Sequence, residues 1–182
     1  MVHDTRRLVF LSLLVAMGTA LYVVEGLLLL PLPLPGVKLG LANIISLLAI
    51  YLYGFRDGLI VALLRVTLGS LISGIFLSPG FLLALAGAVN STLVMALLLN
   101  WTRCFSMIGV SMAGALAHNI GQLAAAAVLL QSSAIVYYLP VLVAAAVPTG
   151  FVTGSLLNAL LAHNSVQIAL KDFNGLPRNV HR

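Results

Sequence analysis

A bundle of six membrane-crossing α-helices, all-α with both termini cytoplasmic, is the fold this sequence predicts, and three observations predict it. Of the 182 residues, 62% are apolar and only 7% are charged, whereas a soluble domain carries about a quarter charged residues to keep its surface in water. The apolar residues gather into long runs, most of them near the ~20 residues a helix needs to cross a bilayer. The nine Lys and Arg residues punctuate those runs and form no stripe, a pattern of topology signals that argues against a nucleic-acid surface. An ordinary soluble enzyme is excluded, and 1–182 reads as a single membrane domain.

The first helix, 8–30, follows Arg6 and Arg7 and is far longer than the ~7–15-residue apolar core of a signal peptide. A prolyl stretch, Pro31 to Gly36, then resists helix; it is expected to lie extended over the outer face and to roof a cavity that opens outward. The second run, 39–53, would rise only ~22 Å and does not span alone. Helices over 58–76 and 81–99 follow, separated by Ser78-Pro79-Gly80, and then 107–130 and 141–162, separated at Gln131-Ser132-Ser133. Short breaks make sequential helices antiparallel neighbours. An even number of spans puts Arg6, Arg7, Arg56, Arg103, Lys171, Arg178 and Arg182 on one side and Lys38 on the other, with Arg65 inside a helix. The positive-inside bias makes the first side cytoplasmic.

Small residues recur at every fourth position: Ser12, Ala16 and Ala20; Ala84, Ala88, Thr92 and Ala96; Ala113, Ala117, Gly121 and Ala125; Ala146, Gly150, Gly154, Asn158 and Ala162. In lipid such stripes let helix backbones approach closely. Packing within the bundle is the plain account of most of them.

Covalent chemistry is poorly provided for. No Gly-rich loop ends in Gly-Lys-Ser/Thr, and the aspartates are Asp4, Asp57 and Asp172, so no carboxylate pair is placed to hold magnesium against a diphosphate. Cys104 is the single cysteine, and neither a metal-ligand set nor a cofactor motif is present. Asn90-Ser91-Thr92 matches a glycosylation acceptor only formally, because it lies within an apolar helix. The chain is not expected to be an enzyme, and no cofactor is expected.

What remains is a set of polar groups at membrane depth, each costing several kcal/mol unless paired or facing a wet cavity. Glu25 lies in the outer part of the first helix, Asn43 opens the second, Arg65 sits near the middle of the third, and His118, Asn119 and Gln122 lie in the fifth. One account is a structural network in which Glu25 pairs with Arg65 while Asn43 and His118 bond between helices. The other is a ligand cavity lined by Glu25, Asn43, His118, Asn119 and Gln122 under the prolyl segment and Lys38, with Arg65 neutralising Glu25 or meeting an anionic ligand group. His118 and Gln122 share a face with Gly114 and Ala126, which leaves space for a small molecule. At ~100° per residue, Glu25 points about 140 to 180° away from Ala20 and Ala16. The first helix therefore has two faces: if Glu25 looks inward, the small-residue stripe looks outward, toward a partner.

Ala16-Met17-Gly18-Thr19-Ala20 matches the Ala-x-x-x-Ala motif of the substrate-binding S components of energy-coupling factor (ECF) transporters. Pro31 to Ile45, Ala62-Leu63-Leu64-Arg65-Val66 and Gly114 to Gln122 are similar to the Gx transporter family, often labelled heptaprenyl diphosphate synthase component I, and the likeness covers nearly the whole chain. The resemblance implies a subunit in the cytoplasmic membrane of a prokaryote that captures a micronutrient and docks through Ala16 and Ala20 on a transmembrane coupling subunit powered by two ABC ATPases. Family context points to isoprenoid, quinone or flavin-related metabolism. Two other readings stay open: a noncatalytic membrane subunit of a polyprenyl diphosphate synthase, and an assembly factor of a membrane electron-transfer complex.

Overall fold

The computed structural model describes residues 2–28, 41–101, 105–131 and 137–163. These residues form six helices: α1 (Val2–Leu28), α2 (Leu41–Tyr53), α3 (Phe55–Ile72), α4 (Pro79–Trp101), α5 (Met107–Leu130) and α6 (Leu139–Ala162). Thr5–Leu27, Pro79–Asn100, Met107–Leu130 and Leu139–Ala162 are each long and apolar enough to cross a membrane. The other two helices differ: α2 would rise about 20 Å, and α3 carries Arg56, Asp57 and Arg65.

The short α2 stands at the centre. It touches each of the other five helices, and its residues from Ala42 to Tyr53 are buried or half-buried, as expected of a helix that is apolar on every side. Each of the three apolar clusters draws on it. Ala42 joins Tyr22, Val66 and Phe81; Ile44, Leu47 and Ile50 join Met95, Val110 and Leu157; Ile45 and Ala49 join Leu14, Val15 and Val61. Around this post α1 packs on α3, α3 on α4, α4 on α5 and α5 on α6. Among the described residues α1 meets only α2 and α3, so it lies at the edge of the bundle.

Arg7 of α1 is ion-paired to Asp57 in the first turn of α3 and lies 5.7 Å from the Tyr53 ring centroid at the end of α2. The starts of α1 and α3 and the end of α2 therefore share one end of the bundle, the order an up-down-up path requires. Asp57 also gains from the partial positive charge at the helix start.

Several helix ends differ from those expected. The third helix begins at Phe55, because Gly54 with φ 93 is the break, and it ends at Ile72, not at residue 76. Gly74 takes φ 70, and the amides of Gly74 and Ile75 donate to the carbonyls of Leu71 at 3.2 Å and Ser70 at 3.0 Å. This is the paired closure of a Schellman cap. The fourth helix begins earlier, at Pro79, since the hydroxyl of Ser78 accepts from the amide of Phe81 at 3.4 Å and proline suits the first helical position. Ser106 caps α5 in the same manner, accepting from Gly109 at 3.2 Å.

The helices of the second half meet backbone to backbone. A Cβ built on Gly150 would lie 2.4 Å from the Met112 Cα, and one on Gly154 would lie 2.6 Å from the Ile108 Cα. The Ser111 and Thr153 hydroxyls, 2.8 Å apart, bridge the same interface. Because Thr153 donates its proton to α6 carbonyls, Ser111 supplies the donor to Thr153. Gly150→Leu is expected to lower stability by about 1–3 kcal/mol through overpacking, seen as a fall in melting temperature in detergent. Gly26→Ala, where nothing lies within 4 Å of the new carbon, should leave the melting temperature unchanged or slightly raised.

Candidate functional site

Helix α1 buries Leu14, Val15, Thr19, Tyr22 and Glu25, and from Val15 onward these follow in three- and four-residue steps that stay on one face. Glu25 is 2% exposed and Arg65 is 2% exposed. Arg65 donates its Nε to the Ser46 hydroxyl at 3.1 Å and its Nη2 to the Asn43 Oδ1 at 2.7 Å, and it interacts electrostatically with Glu25. Three helices thus converge on one guanidinium, whose planar fork can bond two acceptors at once. Close approach is needed to seat it: a Cβ on Gly18 would lie 3.2 Å from the Arg65 Cδ. Farther along, the Tyr22 ring lies on Gly69 and its hydroxyl is 3.3 Å from that of Ser70.

His118 and Gln122 occupy a different contact. Both lie against Gly87 of α4, where an added Cβ would be 2.8 Å from His118 Cε1 and from Gln122 Cγ. The space expected beside Gly114 is filled by Met95, whose sulfur would lie 2.6 Å from a Cβ there. A glycine on a helix facing another helix is filled by the neighbour's side chain, so its lack of a side chain creates closeness and not a void. Asn119 turns to a third side and donates to the Leu142 carbonyl of α6 at 2.9 Å. Of the expected set, Glu25, Asn43 and Arg65 come together among α1, α2 and α3, His118 and Gln122 pack on Gly87 of α4, and Asn119 ties α5 to α6. Lys38 and the prolyl segment lie outside the described residues.

Two partners of this set escaped sequence reading: Ser46 and Tyr22. Each had a signal in the spacing, since Ser46 follows Asn43, and Tyr22 precedes Glu25, by one helical step of three. Two buried hydroxyls, Thr19 Oγ1 and Ser91 Oγ, have no hydrogen-bond partner among the described residues. What the assembled groups can do is hydrogen-bond and balance charge. Among the described residues no group of His, Cys, Asp and Glu is placed to hold a metal ion.

The opposite face of α1 carries the short side chains. Ser12, Ala16 and Ala20 are exposed, and the Ser12 hydroxyl turns back to the Leu8 carbonyl at 2.9 Å, so the strip stays smooth and largely apolar. The other stripes pack inward: Ala84, Ala88, Thr92 and Ala96 on α4, Ala117 and Gly121 on α5, and Ala146, Gly150 and Gly154 on α6 are buried. Only the tail of the α6 stripe, Asn158 and Ala162, is exposed.

Residues 14–160 match heptaprenyl diphosphate synthase component I. The chain belongs to that family. No curated protein and no solved structure matches it. The span matched by the component I family runs from α1 to the last turn of α6 and takes in the Glu25–Arg65 cluster, the His118–Gln122 contact, and Ala16 and Ala20 of the exposed strip of α1. In this component I protein, Arg65→Met should leave the Glu25 charge without compensation and lower stability by about 3 kcal/mol or more. Adding Glu25→Gln should recover most of that loss, since no net charge then stays buried. Folded yield and melting temperature in detergent, compared over the two single variants and the double, measure the difference.

Proposed function

We propose that this chain is a noncatalytic, substrate-capturing membrane subunit of an ECF-type importer, placed in the cytoplasmic membrane of a prokaryote with both termini inside. Its partners are a transmembrane coupling subunit and two ABC ATPases, and its ligand is a small micronutrient or precursor, of isoprenoid-, quinone- or flavin-related chemistry. The observation that carries this reading is the division of α1, with Glu25 buried beside Arg65 and Ser12, Ala16 and Ala20 exposed on the other side.

A capture subunit needs both faces: polar groups toward the ligand inside, and a surface on which a partner's backbone can seat closely. Supporting it further, α1 stands at the bundle edge, and the inward packing of most of the other stripes leaves its strip without an intramolecular role. Asn43, Arg65, His118, Asn119 and Gln122 would recognise the ligand together with Glu25, either directly or after the helices shift apart. Lys38 is assigned to the outer mouth by its sequence position alone.

A second reading is favoured by the family description, which names a synthase component. On it the chain is a membrane partner of a soluble polyprenyl diphosphate synthase. It would not supply the chemistry, since prenyl transfer draws on paired carboxylates that hold magnesium, and Asp57 is engaged with Arg7. Ala16→Leu and Ala20→Leu are expected to reduce copurification of the coupling subunit and ATPases from the native host at least about tenfold, because a bulky side chain blocks close helix approach. The melting temperature should hold, whereas Ala88→Leu, at a fully buried position, should reduce folded yield. Unchanged copurification with both α1 variants defeats the docking role, and recovery of a prenyl synthase in place of ATPases favours the second reading.

A further inference from the structure

Helix α4 turns one row of side chains away from the rest of the bundle. Leu83, Ala86, Asn90, Leu93 and Leu97 follow in alternating steps of three and four, and each is half-buried or exposed, so they share one face of the helix. Any lipid-facing side of a helix repeats in such steps. What sets this row apart is the amide at its centre. Asn90 lies at the middle of Pro79–Asn100, a stretch long and apolar enough to cross a membrane, and so stands farthest from either interface. The other exposed amides among the described residues, Asn100, Gln131 and Asn158, lie within about one turn of a helix end.

An amide at mid-bilayer needs protein partners, because lipid tails offer none. The one hydrogen bond that Asn90 makes among the described residues runs from its Nδ2 to the Ala86 carbonyl, one turn back, at 3.2 Å. A second N–H and the carbonyl oxygen, with its lone pairs, are left to be met. Helix α5 meets the amide at Gly121, where an added Cβ would lie 2.6 Å from Asn90 Nδ2. It brings no side chain there, and Asn90 stays exposed.

Symmetry identifies the partner. Every copy of the chain inserts in the same orientation, so the α4 helices of two copies meet in parallel. In a parallel pair, each position of a three-and-four row faces its own counterpart, and a single Asn in such a row fixes register and copy number. Each Asn90 then donates its second N–H to the Oδ1 of the other, two reciprocal bonds that use what each amide has left. A helix of another protein would need a polar group at the same depth, which a second copy always has. We propose that the chain forms a twofold dimer through this row of α4, with the two Asn90 amides paired at mid-bilayer. Ala86, next to the pair, is short enough to let the helices close on it. Among the described residues α1 meets only α2 and α3, so the dimer leaves its exposed strip open and does not depend on the importer reading.

The test is reconstitution of the full chain in phosphatidylcholine vesicles, half of the molecules carrying a donor dye and half an acceptor at the N-terminus. Energy transfer is followed as the protein is diluted in lipid. The chain should associate as a dimer, and Asn90→Leu should weaken the association roughly thirtyfold, as two hydrogen bonds between membrane helices predict, without lowering the melting temperature in detergent. Ala86→Trp keeps the amide but bars close approach, and should abolish the dimer. Ile60→Trp, exposed between α3 and α1, should leave it intact. A chain that stays monomeric, or an Asn90→Leu variant that pairs as tightly as the parent, overturns the proposal. Association lost with Ile60→Trp and kept with Ala86→Trp puts the interface elsewhere and overturns it as well.

Discussion

Arg65 is the residue on which the first half of the molecule depends. A guanidinium at membrane depth cannot be left to itself, because an uncompensated charge there costs several kcal/mol. Compensation comes from three directions: Asn43 and Ser46 accept its protons, and Glu25 faces its charge. The geometry then follows. For α1 to come near enough, Gly18 must lack a side chain where the Arg65 stem passes, and Gly69 must lack one under the Tyr22 ring. For α2 to supply two acceptors it must stand inside the bundle, and a helix so placed has to be apolar on all other sides. Its short length is then no defect, since α2 does not need to meet lipid on both surfaces.

The second half is held by different physics. The α4–α5 and α5–α6 contacts rely on small residues and near-direct backbone approach, at Gly87, Gly114, Gly121, Gly150 and Gly154, with hydroxyl and amide bonds adding specificity. Hydrophobic burial gives little drive between helices in lipid, so dispersion at short range must do the holding. That difference explains why His118 and Gln122 lie pressed against Gly87. The two halves, built by different contacts, are joined through α2 and the α3–α4 contact.

The fold was largely legible in the sequence, and the site only in part. Apolar runs and charge placement are long-range averages, so six helices and their order could be read from them, whereas the helix ends were set by local capping at Ser73-Gly74 and Ser78-Pro79. Those signals are written in the residues, yet they look like generic turn chemistry until the hydrogen bonds are known. Helical phase correctly placed Glu25 and Ala16 on opposite faces, since both belong to one rigid helix. It does not reach the grouping of Glu25 with His118, Asn119 and Gln122, because their relation depends on how helices rotate about one another. No period within a single helix records that rotation. The Arg7–Asp57 pair was missed for the same reason.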